Sequence, residues 1–82
     1  MELRYDLRYN IAYIRLREKT TEVETIRISD EVNIDLSPDG KIYGIELLNA
    51  NEQLRIMEGT EFILTDESTQ KTLRFTIATQ KG

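Results

Sequence analysis

From Val32 to Leu48, apolar and polar positions alternate with a period of two. Val32, Ile34 and Leu36 are interleaved with Asn33, Asp35 and Ser37; further on, Tyr43, Ile45 and Leu47 are interleaved with Gly44 and Glu46. Successive side chains of an extended chain point to opposite sides, so each half predicts a strand with one apolar and one wet face. Between the halves lies Ser37-Pro38-Asp39-Gly40. Proline pre-sets the first corner of a turn, aspartate can bond its own backbone, and glycine takes the positive φ that closes it. The pattern predicts an antiparallel hairpin, with Val32, Ile34, Leu36 and Ile45 facing the core.

Elsewhere the pattern is shorter. Glu22 to Ile28, after a polar link at Thr20 and Thr21, is rich in Val, Ile and Thr and reads as a strand. Val23 and Thr25 share one parity and Ile26 and Ile28 the other, a slip that predicts a bulge near Thr25. Residues 2–19 fit two templates. Tyr5, Tyr9 and Tyr13 recur every four residues, as do Leu3, Leu7 and Ile11, which suits a helix from Leu3 to Leu16. Against it, Ala12, Ile14 and Leu16 alternate with Tyr13, Arg15 and Arg17. No capping residue precedes Leu3, and Asp6 to Asn10 supplies turn residues, so strand, turn, strand is the preferred reading.

Asn49 or Asn51 can open a short helix near 50–57, and Gly59 can end it. Thr60–Thr65 and Thr72–Thr79 read as a last pair of strands across the polar loop 66–71, with Leu73, Phe75 and Ile77 inward. The fold class is mainly β: a small antiparallel sheet or meander of six or seven short strands, with room for one short helix. With 82 residues, the chain makes a single domain, 1–82.

Composition narrows the function. Net charge is −4, from 11 basic and 15 acidic residues, whereas nucleic-acid and anionic-membrane binders want a cationic surface. No apolar run approaches the roughly 18 residues that span a bilayer, and Met-Glu-Leu-Arg-Tyr-Asp has no signal-peptide character, so a cytoplasmic location is expected. Cysteine and histidine are absent, which removes the thiolate nucleophile, the commonest general base and the commonest transition-metal ligand. A chain this short buries only about 60–65% of its unfolded surface, so a second copy would help it.

Two constellations compete with a purely structural role. Asp35-Leu36-Ser37-Pro38-Asp39-Gly40, then five residues and Glu46, fits the spacing of a calcium-binding EF-hand loop. An EF-hand needs a helix on each side, yet the incoming flank alternates and is β-branched. In a hairpin, Asp35 and Glu46 stand on separate strands and cannot wrap one ion. The hairpin is preferred, with a divalent-ion binder kept as an alternative. The second constellation is charge asymmetry. Residues 1–19 hold five basic against three acidic side chains, and residues 20–40 hold one against six. Tyrosines among the arginines, with Arg4, Tyr5 and Arg15 foremost, could stack bases and contact phosphates. The plainer account is pairing of basic and acidic side chains across neighbouring strands.

Catalysis has little support. Paired carboxylates exist at Asp30/Glu31 and Asp35/Glu46, but Ser29, Ser37 and Ser68 sit at turn positions without a histidine partner. Gly40, Gly44, Gly59 and Gly82 are too scattered to cradle a phosphate. No catalytic, cofactor-binding or metal-ligating residue is assigned, and no cofactor is expected.

Three blocks carry a family resemblance: Arg4-Tyr5-Asp6, Ala12-Tyr13-Ile14-Arg15-Leu16, and Val32-Asn33-Ile34-Asp35-Leu36 with Asp39-Gly40-Lys41-Ile42 and Gly44-Ile45-Glu46-Leu47-Leu48. In order and spacing they resemble the small prokaryotic domain-of-unknown-function 2283 family, over residues 3–49. The chain departs from that family at Leu7–Ile11 and at Ser37, where the family tends to have Asp. The resemblance implies strands over residues 3–16 and brings no activity, cofactor or site residue with it. The expected function is a non-catalytic protein-interaction module, its first partner a second copy in a homodimer. Antitoxin-like neutralisation of a basic protein is one specific version, and a nucleic-acid-binding module is the alternative.

Overall fold

A computed structural model describes residues 1–18 and 22–79. Seven strands run through the described residues: β1 (Glu2–Asp6), β2 (Ile11–Arg15), β3 (Glu24–Ser29), β4 (Val32–Leu36), β5 (Ile42–Leu48), β6 (Thr60–Asp66) and β7 (Lys71–Ile77). Between β5 and β6 lie a five-residue helix, α1 (Ala50–Leu54), and a 3-10 turn (Ile56–Glu58). The mainly antiparallel β reading holds, and residues 2–15 are strand, turn, strand rather than helix. The polar link at Thr20 and Thr21 lies outside the described residues.

β1 to β5 form one sheet in the order β1-β2-β5-β4-β3, every neighbouring pair antiparallel. The arrangement is a Greek key: β3, β4 and β5 follow one another by hairpins, and β5 returns beside β2. The central hairpin closes as its sequence demands. Gly40 takes φ 83 and donates its N–H to the Ser37 carbonyl at 2.9 Å, and the Ser37 N–H donates to the Lys41 carbonyl at 2.8 Å. Leu36 consequently faces Ile42, with the register shifting between Asp35 and Leu36. The bulge expected near Thr25 falls further along, between Arg27 and Ser29. Thr25 keeps a regular pairing with Asp35, so the parity slip in Ile26–Ile28 is absorbed where β3 runs into its turn rather than at the start of the strand.

The register sorts side chains into two faces. Leu3, Ile14, Ile45, Ile34 and Ile26 form one row straight across all five strands. Tyr5, Ala12, Leu47 and Val32 form the next row on that same dry face. The opposite, wet face carries the rows Arg4-Tyr13-Glu46-Asn33-Arg27 and Glu2-Arg15-Gly44-Asp35-Thr25.

The helix docks at one end of the dry face. Asn49 opens it at φ 53 but makes no capping bond with its side chain. Its amide donates instead to Glu31 and Glu52, at 2.8 Å each. Asn10, which closes the β1–β2 turn at φ 56, does the anchoring. Its carbonyl accepts from the Ala50 N–H at 3.0 Å and its side-chain oxygen from the Asn51 N–H at 2.6 Å. Tyr5, on the dry face, donates its hydroxyl to the Asn51 side chain. Gly59, at φ 84, ends the 3-10 turn. The buried apolar residues among those described are Ala12, Ala50 and Ile56. The core is therefore a plug at the helical end of the sheet, not a layer spanning it.

β6 and β7 pair only with each other, in a second, two-stranded sheet. They are joined by a turn in which Gln70 takes φ 63 and donates its N–H to the Asp66 carbonyl at 2.7 Å.

Candidate functional site

Two incompletely covered apolar surfaces dominate the molecule. On the five-stranded sheet, Val32, Ile34, Leu36 and Ile45 are only half-buried, although they were expected to face a core. They stand on the expected side; what is missing is a layer on top of them. The second surface belongs to the β6–β7 hairpin. Its register places Phe62 opposite Phe75 and Leu64 opposite Leu73, with Ile77 at the base of the same face. Relative exposures are 46% for Phe62, 52% for Leu64, 58% for Leu73 and 52% for Phe75. The inward assignment of Leu73 and Phe75 is thereby corrected: they share a face, but both stay more than half exposed.

The two surfaces meet along part of their length. A cleft of about 320 Å³ is lined by Met1, Leu3 and Ile14 from the β1–β2 side and by Phe62, Phe75 and Ile77 from the hairpin. The Phe62 and Phe75 rings sit 6.4 Å apart and tilted by 39°, within the range of centroid distances at which aromatic pairs interact. Leu64 and Leu73, the next pair towards the tip, do not line the cleft.

The wet face carries a polar network instead. Tyr13 lies across Gly44 and donates its hydroxyl to Asp35 at 2.6 Å. Thr25 donates to the other oxygen of the same carboxylate at 2.6 Å, and Asn33 donates to Glu46 at 2.9 Å. Gly44 is required here, because a Cβ at that position would stand 2.5 Å from the Tyr13 Cζ. Burial first, and the adjoining Asp35 carboxylate second, hold the Tyr13 phenol protonated well above its usual range. It is a fixed donor, not a base or a nucleophile. The signal for this arrangement was present in the sequence as a lone glycine inside an otherwise regular strand, which marks a close approach.

The calcium-loop look-alike is dispersed by the hairpin. Asp35 sits on β4 across from Gly44 and is occupied by Tyr13 and Thr25. Asp39 in the turn accepts both bonds from Arg17, at 3.0 and 2.9 Å, which keeps its carboxyl below the usual range. Glu46 is on β5, held by Asn33. Ser29 accepts the Glu31 N–H at 3.2 Å and Ser68 bonds Asp66 at 2.6 Å, both as turn residues.

The arginine–tyrosine set is split. Arg4, Tyr13 and Arg15 share the wet face, but Tyr5 is on the dry one. Glu2 lies 3.0 Å from Arg4 and 3.9 Å from Arg15, Arg8 lies 3.2 Å from Asp6, and Arg74 lies 3.4 Å from Glu61 on the facing strand. Basic and acidic side chains are interleaved; Glu2–Arg15 and Glu61–Arg74 pair across neighbouring strands as expected, whereas Arg4–Glu2 and Arg8–Asp6 pair along the chain, and such exposed pairs contribute little individually. No helix among the described residues is long and apolar enough to cross a membrane.

No curated protein and no solved structure matches the chain. A family model does match, over residues 2–51, which is the five-stranded sheet together with the first two residues of the helix. The sheet that sets out the two faces is thus the family's own, the β6–β7 hairpin lies beyond the match, and the chain belongs to the family described as a protein of unknown function, DUF2283.

Proposed function

We propose that this protein is a non-catalytic β module that works by binding protein through its apolar sheet face and C-terminal hairpin, beginning with a second copy of itself. The observation that carries the reading is surface area. A monomer of 9.6 kDa is expected to expose about 5,100 Å²; this chain exposes 6616 Å². Its radius of gyration is 14.4 Å, against about 12 Å for a compact chain of this length. The surplus of about 1,500 Å² per chain, if removed by a partner, corresponds to a large interface of the kind obligate homodimers have. An isolated two-stranded hairpin is at best marginally stable in water, so β6–β7 needs a surface to lie on. The nucleic-acid alternative draws no comparable support, because the N-terminal arginines that would carry it are interleaved with Glu2 and Asp6. Neutralisation of a basic partner rests on the acidic balance alone.

Sedimentation equilibrium at micromolar concentration tests the reading. The expected result is a mass near twice 9.6 kDa, with a thermal midpoint that rises with protein concentration. A monomer at all concentrations, with a concentration-independent midpoint, overturns it.

A further inference from the structure

We infer that the β6–β7 hairpin is a docking arm whose distal apolar pair, Leu64 and Leu73, lies on the Ile26–Ile34–Ile45 part of the dry sheet face of a second copy, reciprocally across a two-fold axis. This rests on the self-association reading above and specifies which surface meets which.

Width is the first argument. Strand axes stand about 4.8 Å apart, so a five-stranded sheet spans about 19 Å between edge axes, and a two-stranded hairpin covers about two strands of it. The chain's own hairpin faces β1 and β2, through Met1, Leu3 and Ile14. The remaining three strands carry Ile45, Ile34 and Ile26 of the same row, and Ile26 at the edge is 38% exposed. One hairpin cannot cover both halves.

Length is the second. Phe62 and Phe75 reach the cleft, while Leu64 and Leu73 lie about 7 Å further towards the tip. They carry the apolar face past the cleft. Each chain therefore has a projecting apolar arm and an open apolar half-sheet, two surfaces of different shape and like chemistry.

Symmetry is the third. A two-fold axis that places one arm on the partner's open half-sheet places the partner's arm on the first, and both surfaces close at once. Arm against arm would leave Ile26 and Ile34 bare, and sheet against sheet would leave Leu64 and Leu73 bare. The surplus area of about 1,500 Å² per chain exceeds the roughly 800 Å² per partner of a standard interface and leaves room for both surfaces to be covered.

The chain has no cysteine, so single thiols report cleanly. Two variants, Ile26→Cys and Leu73→Cys, are exchanged together by brief denaturation and refolding, then treated with a short bis-maleimide. A covalent dimer is expected from the mixture and not from either variant alone. Cross-linking of Leu73→Cys with itself would show arm against arm, and cross-linking of Ile26→Cys with itself sheet against sheet; either overturns the docking. A dimer in sedimentation that yields no covalent product in the mixture also overturns it, while leaving self-association standing. A monomeric parent protein overturns both. As a second variant, Leu64→Asp, at a position already half exposed, is expected to weaken the dimer at least tenfold with the circular dichroism of the sheet retained. Unchanged sedimentation of that variant would count against the arm.

Discussion

At the scale of single residues, Gly44 and Tyr13 show how one position determines another. Gly44 is buried in the middle of β5, where glycine has neither intrinsic strand preference nor a side chain to bury. Its value is the space it leaves: the Tyr13 ring occupies the site of a Cβ, and its hydroxyl thereby reaches Asp35 across the intervening strand. Gly44→Ala is expected to destabilise the protein by about 1–3 kcal/mol, the usual cost of forcing a side chain out of a filled site. In a Tyr13→Ala background the same substitution should cost almost nothing, since the obstructing ring is gone. Urea unfolding of the four proteins of that cycle measures the coupling. Additive losses would mean that glycine is needed there for its backbone and not for the ring. Asn10 is a similar case. Its positive φ was foreshadowed by a turn-prone segment, but its hydrogen bonds to Ala50 and Asn51 depend on partners about forty residues away, which no local pattern encodes.

At the scale of elements, the sequence made most of the strands legible, because alternation is a local property that β2, β4 and β7 show clearly. The turn at Ser37–Gly40 was equally legible, since its residue types answer to specific backbone angles. Strand order was not. Placing β5 between β2 and β4 is a long-range choice among strands of the same apolar and polar rhythm, and rhythm does not distinguish neighbours. The C-terminal hairpin was legible as a pair of strands, but the same limit made Leu73 and Phe75 read as inward. Alternation in Leu73, Phe75 and Ile77 identifies one face of a strand, and whether anything covers that face is decided elsewhere. The helical segment behaves likewise: Leu54, Ile56 and Met57 are all apolar in the sequence, yet only Ile56 of the three is buried. An element whose apolar face is half exposed should also open more readily than one inside a sheet. Native-state hydrogen exchange is therefore expected to show β6 and β7 amides exchanging faster than those of β2, β4 and β5 in dilute protein, with protection of β6 and β7 growing as concentration rises. Equal protection in both sheets, independent of concentration, would show that the hairpin is stabilised within its own chain.

At the scale of the whole molecule, the family match and the exposed surfaces divide the chain at nearly the same place. The sheet and the start of the helix belong to the matched region, and the hairpin does not. The buried plug of Ala12, Ala50 and Ile56 lies entirely before Gly59. Removing everything after Gly59 thus leaves the sheet with its helix, its 3-10 turn and the Asn10 tether, and takes away the arm together with one wall of the Leu3–Ile14 cleft. Such a shortened chain is expected to keep the strand signature in circular dichroism and a cooperative urea transition, at a lower midpoint because Leu3 and Ile14 lose Phe62 and Phe75 as cover. It is also expected to sediment as a monomer at concentrations where the full chain is a dimer. A shortened chain that still dimerised with unchanged affinity would place the interface on the sheet alone and reduce the hairpin to a lid over its own β1–β2 edge. One that failed to fold would show that the sheet needs the hairpin's aromatic pair for its own stability. The two measurements together separate an arm that serves a partner from a cover that serves the chain carrying it.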